Sequence, residues 1–232
     1  MRVRYSVLAD ASGSFGGLVA SHNRAGQYIR TRVRPTNPSS PAQVQVRTIF
    51  ANLATAWSTL TEAQREAWTT YALNVPVTGA FGEVQHLTGH QMFVRNNAAR
   101  MQGGLDRVDD GPTTFAAVTL SHVFLTPNAS PQTLDMFVQI GDPWTTELGG
   151  ALLVYATRQS SPSVLYRKNP FRFVTAILGP FAPPAPRVFL PSAPFAMSSF
   201  PQNAIFTRFV AVSADGRLSH TDDRGPTLIV DV

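Results

Sequence analysis

The feature that most constrains this chain is a change of texture at Pro112. Before it, apolar side chains recur at helical spacing behind Ser/Thr-x-x-Gln starts. After it, short runs of Val, Leu, Phe, Thr and Tyr are cut by Pro, Gly, Asn and Asp. A period of 3.6 residues and a period of 2 bury different faces, so one stretch cannot serve both structures. The chain therefore reads as α+β, with its helices and its main strands in separate regions.

The helical region opens behind a stiff connector. Pro35, Pro38 and Pro41 fix φ and push the preceding residues to extended backbone. Ser40 with Gln43, Thr61 with Gln64 and Thr88 with Gln91 then form three capping-box patterns, in which side chains satisfy the first free N–H groups of a helix. The first helix carries Val46, Ile49, Phe50, Leu53 and Trp57 on one face. A second runs from Glu62 to about Leu73, making an αα-hairpin in which Trp57, Trp68 and Tyr71 pack where the helices meet. The third takes Met92, Phe93, Val94, Ala98, Ala99 and Met101 and stops at Gly103-Gly104. A DNA-reading helix-turn-helix needs a basic second helix, whereas this one is acidic at Glu62 and Glu66.

Upstream, residues 2–9 and 27–34 alternate polar and apolar as half-buried strands do, with Leu18-Val19-Ala20 between them and Asn23–Gly26 as a hairpin loop. A small basic β-meander is expected. Gly13–Gly17 lacks the spacing of a phosphate-binding loop and reads as a flexible loop. Downstream, strands are expected at 114–125, 133–140, 150–158, 171–178, 186–190, 204–213 and 226–232, a sandwich pattern. The prolines from Pro180 to Pro201 belong to an edge or a loop. Asp106 to Pro112, acidic and without apolar periodicity, is the expected linker. It separates a basic β-plus-helix module at 1–105 from an all-β sandwich at 113–232.

Charge and composition narrow the function. Hydrophobic residues make up 44% and charged residues 14% of 232, a surface poor in charge that fits an assembled subunit or a β-rich domain with neutral loops. There is no cysteine, which removes disulfides, thiolate metal sites and cysteine nucleophiles. Arg2 and Arg4 are followed by Asp10 and glycines instead of the apolar stretch of a signal peptide, and no run approaches the roughly 18 apolar residues of a membrane span. A soluble protein made in a cytoplasm is expected. Net charge is +5, and the first 50 residues hold seven Arg and one Asp, or +6. All basic residues but Lys168 are arginine, which suits bidentate contacts to carboxylate or phosphate; a GC-rich genome would give the same bias.

No catalytic constellation emerges. The five histidines, His22, His86, His90, His122 and His220, have no metal-ligand spacing. His220 near Asp222 and Asp223 has no nucleophile in reach. Glu62 with Glu66 sits in the first turns of a helix, where acids favour the dipole. Asp109 with Asp110 lies in the linker, and there is no GxSxG elbow. No enzyme activity, metal or cofactor is expected.

Two stretches resemble known families. Gly16-Gly17, Asn23 to Arg30, Arg34-Pro35-Thr36-Asn37-Pro38, Pro41-Ala42-Gln43, Leu60 to Trp68 and Gly89 to Asn96 resemble a set of uncharacterised proteins of tailed bacteriophages and prophages. Phe206 to Leu218 is similar to a fibronectin type III or immunoglobulin-like domain, with the proline-rich 180–201 as a departure. The resemblance implies a virion structural protein, a capsid decoration or cement protein first and a tail or head–tail connector component second. It is made in a bacterial cytoplasm and present in many copies beside other virion proteins, such as a major capsid protein. Docking then falls to Arg24, Arg30, Arg32, Arg34 and Arg47, with Tyr28 and Trp68 as apolar anchors. The alternative partner for the basic strand is nucleic acid, because Arg30, Arg32 and Arg34 alternate onto one face.

Overall fold

The structure is a computed structural model that describes residues 12–24, 26–34, 36–79, 82–121, 123–130, 132–138, 141–165, 171–180, 187–190, 195–199 and 202–230. The strand expected at 2–9, His122, Lys168 and most of the proline-rich stretch lie outside the described residues. The fold is mixed α+β, with helices and antiparallel strands in several sheets. The chain divides into two compact units, residues 1–43 and 44–232, which differs from the expected division at 106–112.

The first unit holds a three-stranded antiparallel meander, β1 (Gly13–Phe15), β2 (Leu18–Asn23) and β3 (Gly26–Thr31). The stretch expected as a loop is therefore strand β1 and a tight turn. Phe15 pairs with Leu18 across Gly16-Gly17, and Gly16 takes φ 55°, a conformation that glycine adopts without steric cost.

Most of α1 (Pro41–Thr59) lies in the second unit, where α2 (Glu62–Asn74) and α3 (Gly89–Gln102) pack against each other. Helix α1 joins their core through Ile49, Leu53 and Ala56, and its Trp57 meets His90 and Phe93 of α3. The capping boxes at Thr61/Gln64 and Thr88/Gln91 are complete, while Ser40 only accepts from the Gln43 N–H at 3.4 Å. A two-residue hairpin, β4 (Val77–Thr78) with β5 (Val84–Gln85), lies between α2 and α3. Leu53, Trp68, Ala72, Met92 and Phe93 are fully buried in one helical core. Trp68 meets Phe93 and Tyr71 edge to face, with centroids 5.5 and 6.0 Å apart.

Among the described residues seven further strands follow: β6 (Val123–Asn128), β7 (Thr133–Val138), β8 (Ala151–Ala156), β9 (Arg172–Leu178), β10 (Arg187–Leu190), β11 (Ala204–Val212) and β12 (Asp222–Leu228), with a short helix α4 (Pro143–Thr146) between β7 and β8. They form one sheet ordered β10-β7-β6 and another ordered β12-β11-β8-β9, all antiparallel. Val123, Leu125, Leu134 and Met136 of the first sheet share a core with Leu152, Val154, Phe209 and Ala211 of the second. Alternate residues along each strand supply that core, as the pleat requires.

Two expected strands are displaced. The strand placed at 114–125 begins only at Val123, with an isolated bridge from Val118 to Ser219 upstream. The strand placed at 226–232 runs from Asp222 to Leu228. Its register comes from pairing along β11, Asp223 opposite Arg208 and Asp222 opposite Phe209, and not from the apolar run Leu228-Ile229-Val230 that marked it in the sequence.

Residues 106–112 are packed and not a free linker. The Asn97 side chain bonds both backbone groups of Val108, at 2.8 and 3.0 Å. Trp68 Nε1 donates to the Asp109 carbonyl at 2.8 Å. Pro112 is buried, and a Cβ at Gly111 would lie 2.6 Å from the Ala67 carbonyl carbon. A segment with so few apolar residues is tied down through its backbone, which composition does not display.

Candidate docking surface

The register of the meander sorts its side chains. Ser14, Val19 and Arg30 lie opposite one another, as do Ser21 and Tyr28, so these five share a face. Arg32 extends it, because its N–H donates to the Gly17 carbonyl at 2.7 Å and continues the pairing by one step. The other face carries Phe15, Leu18, Ala20, Ile29 and Thr31. Phe15 is 86% and Leu18 44% exposed.

Arg24, Arg30, Arg32 and Arg34 are all exposed, and Tyr28 is half-buried. Among the described residues, none of these four arginines has a side-chain hydrogen bond or an ion pair. The sequence explains why: no Asp or Glu occurs between Asp10 and Glu62. Over that stretch of sequence no carboxylate is supplied to neutralise them.

The remaining two expected docking residues belong to the second unit. Arg47 is exposed on α1. Trp68 is not a docking anchor: it is fully buried, its ring holds the helical core together and its N–H is spent on Asp109. A partner could reach it only by unfolding the helices. Surface apolar residues do exist on α1, where Val46 is 38% and Phe50 49% exposed.

The second unit uses its arginines differently. Arg208 makes a two-pronged pair with Asp223, at 2.6 and 2.8 Å, and its guanidinium stacks 4.1 Å from the Phe171 ring centre. Arg217 pairs with Asp215, Arg224 with Asp222, Arg107 with Asp109 and Arg65 with Glu62. Arg100, 4% exposed, donates to the carbonyls of Asp106, Gly149 and Ser213. Burial lowers its pKa, opposed by Asp215 and Asp106. It ties α3 to the loops around the four-stranded sheet, a role that the sequence signals only through its place on the inward face of a helix, four residues after Asn96.

Several of the groups considered for catalysis are engaged elsewhere. Asp222 and Asp223 accept from Arg224 and Arg208, and His220 is exposed beside them. His90 meets Trp57 at a tilt of 51°, with ring centroids 5.4 Å apart. Asp110 accepts from Gln64. Among the described residues no three His, Asp or Glu side chains converge as metal ligands. A cavity of about 490 Å³ is lined by Asn52, Leu53, Thr55, Ala56, Thr59, Met101 and Arg107, and one of about 410 Å³ lies between residues 117–120 and 219–222. The second lining sets Ser219, His220, Thr221 and Asp222 side by side, but the Ser219 hydroxyl accepts from the Ala211 N–H and donates to the His220 carbonyl, and Asp222 is paired with Arg224.

Comparison with family models, with curated proteins and with solved structures finds no match. The functional reading therefore rests on the surface itself.

Proposed function

We propose that this chain is a non-catalytic structural protein of a tailed-bacteriophage virion, docked through its N-terminal unit and extended by an immunoglobulin-like or fibronectin type III-like sandwich. The observation that carries the reading is the state of the meander: an apolar face left open and exposed arginines that, among the described residues, make no ion pair. A surface of that kind is completed by another molecule. The sandwich reading is supported by strand order, since the first, second and fifth of the seven strands form one sheet and the third, fourth, sixth and seventh the other, around a shared core.

Capsid decoration or cement is the first form of this proposal. A component that lies against the genome, such as a head–tail connector, is the second, and the one-sign basic face of the meander favours it. The test is the copy number of the chain on purified particles, with Phe15→Asp and Leu18→Asp as the variants. Multicopy incorporation that these changes reduce at least tenfold supports docking through the meander. Absence of the chain from particles refutes the virion reading.

A further inference from the structure

We propose that the face of the meander bearing Tyr28, Arg30 and Arg32, continued by Arg34, is a binding site for single-stranded nucleic acid. The inference deepens the docking reading by naming what this face takes, and it is testable on the purified chain without any particle.

The argument begins with the sign of the surface. From residue 11 to residue 61 the chain carries arginine and no acid. An interface that fixes one protein partner in one register gains from mixed signs, because misplaced like charges then reject the wrong alignments. A surface of one sign discriminates no register. It suits a ligand whose charge is also uniform along its length, as a phosphate backbone is.

Geometry selects the single strand. Arg30 and Arg32 are placed on one face by pairing with Val19 and Gly17, and Arg34, exposed and beyond the paired strand, is two residues further along the sequence. Same-face residues of an extended chain repeat about every 6.7 Å, comparable to the interval between successive phosphates of an extended single strand. Tyr28 sits next to Arg30 on that face and offers a ring for a base to stack on, while Ser14 and Ser21 add hydroxyl donors. A duplex presents base edges in its grooves, whereas a single strand offers Tyr28 a base face to stack on.

The experiment is fluorescence anisotropy of the full chain with a labelled oligothymidylate at increasing salt. Binding should weaken with a log–log slope of about −0.7 per phosphate contacted, so replacing all three arginines, R30Q/R32Q/R34Q, should flatten the slope by about 2. Tyr28→Ala should weaken binding about tenfold. The charge-preserving R30K/R32K/R34K should keep most of the slope, which separates loss of charge from damage to the meander. No binding, salt-insensitive binding, or equal binding by the glutamine variant would overturn the proposal. Competition by polyglutamate as effective as that by oligothymidylate of equal charge would also overturn it, in favour of an acidic protein partner. Failure here leaves the virion reading standing, and absence from particles leaves oligonucleotide binding standing.

Discussion

Six arginines of the second unit are engaged within the fold, while the four described in the first are exposed. In the second unit Arg65, Arg107, Arg208, Arg217 and Arg224 each face a carboxylate, and Arg100 is buried against three carbonyls. In the first, Arg24, Arg30, Arg32 and Arg34 are exposed with no acid within the same stretch of chain. Composition treats these residues alike; what separates them is the supply of acceptors. Paired arginines are part of the fold, and unpaired ones are available to something outside it.

The change that would hurt the fold most is at Arg100. Arg100→Met keeps much of the apolar stem but strands the Asp106, Gly149 and Ser213 carbonyls. Leaving the buried Ser213 carbonyl without its donor costs about 1–3 kcal/mol, and the part-buried Asp106 and Gly149 carbonyls, which water can reach, add less, so a loss of about 2–3 kcal/mol is expected in urea unfolding. Arg100→Lys, a point charge that cannot span three carbonyls, should recover less than half of it. A loss under about 0.5 kcal/mol for Arg100→Met would mean that the tie to Gly149 and Ser213 does not hold the helices to the sheet loops.

Next comes the packed segment at 106–112. Gly111→Ala drives a Cβ into the backbone of Ala67 and Trp68, 2.6–2.7 Å away, and backbone cannot step aside as a side chain can. A loss of about 2 kcal/mol is expected from this overpacking. The same packing predicts that trypsin cuts the native chain at Arg32, in exposed backbone outside helix and strand, and leaves a stable fragment containing residues 44–232. A folded fragment starting between 106 and 112 would instead restore the division expected from composition.

Smaller still is the pair between Arg208 and Asp223. Its side chains are 29% and 42% exposed, so solvent screens it. A double-mutant cycle should give about 0.5–1 kcal/mol, from which the stacking of Arg208 on Phe171 cancels. A coupling near zero would show that these arginines, too, are bystanders to stability, and would blur the contrast between the units.

Much of this was legible in the sequence. Capping boxes located α2 and α3 within a residue, because the cap is written in the residues that make it. Strands β8, β9 and β11 lay where β-branched and aromatic residues cluster. What failed depended on partners distant in sequence: β12 takes its register from the residues opposite it on β11, and 106–112 is held by Asn97 and Trp68. The candidate site divided the same way. Exposure of the arginines followed from the missing acids, but Trp68 as an anchor did not survive, since an aromatic at a helix junction looks the same whether it faces out or in. Phe15 on the open apolar face was missed because Gly13–Gly17 read as loop.

The last prediction is a stability change close to zero. R30Q/R32Q/R34Q removes three positive charges from a stretch in which no carboxylate sits to be orphaned. Surface changes of this kind usually shift stability by less than about 0.5 kcal/mol, and here the sign should be slightly stabilising, because the four exposed arginines repel one another across a span comparable to the Debye length of roughly 10 Å at 0.1 M salt. Thermal melting at low and high salt checks both points. The variant should match or slightly exceed the parent at low salt, and the difference should vanish as salt rises. A clear loss of stability would mean that these arginines have acceptors within the chain. Their availability to an external polyanion would then fail together with the contrast between the two units.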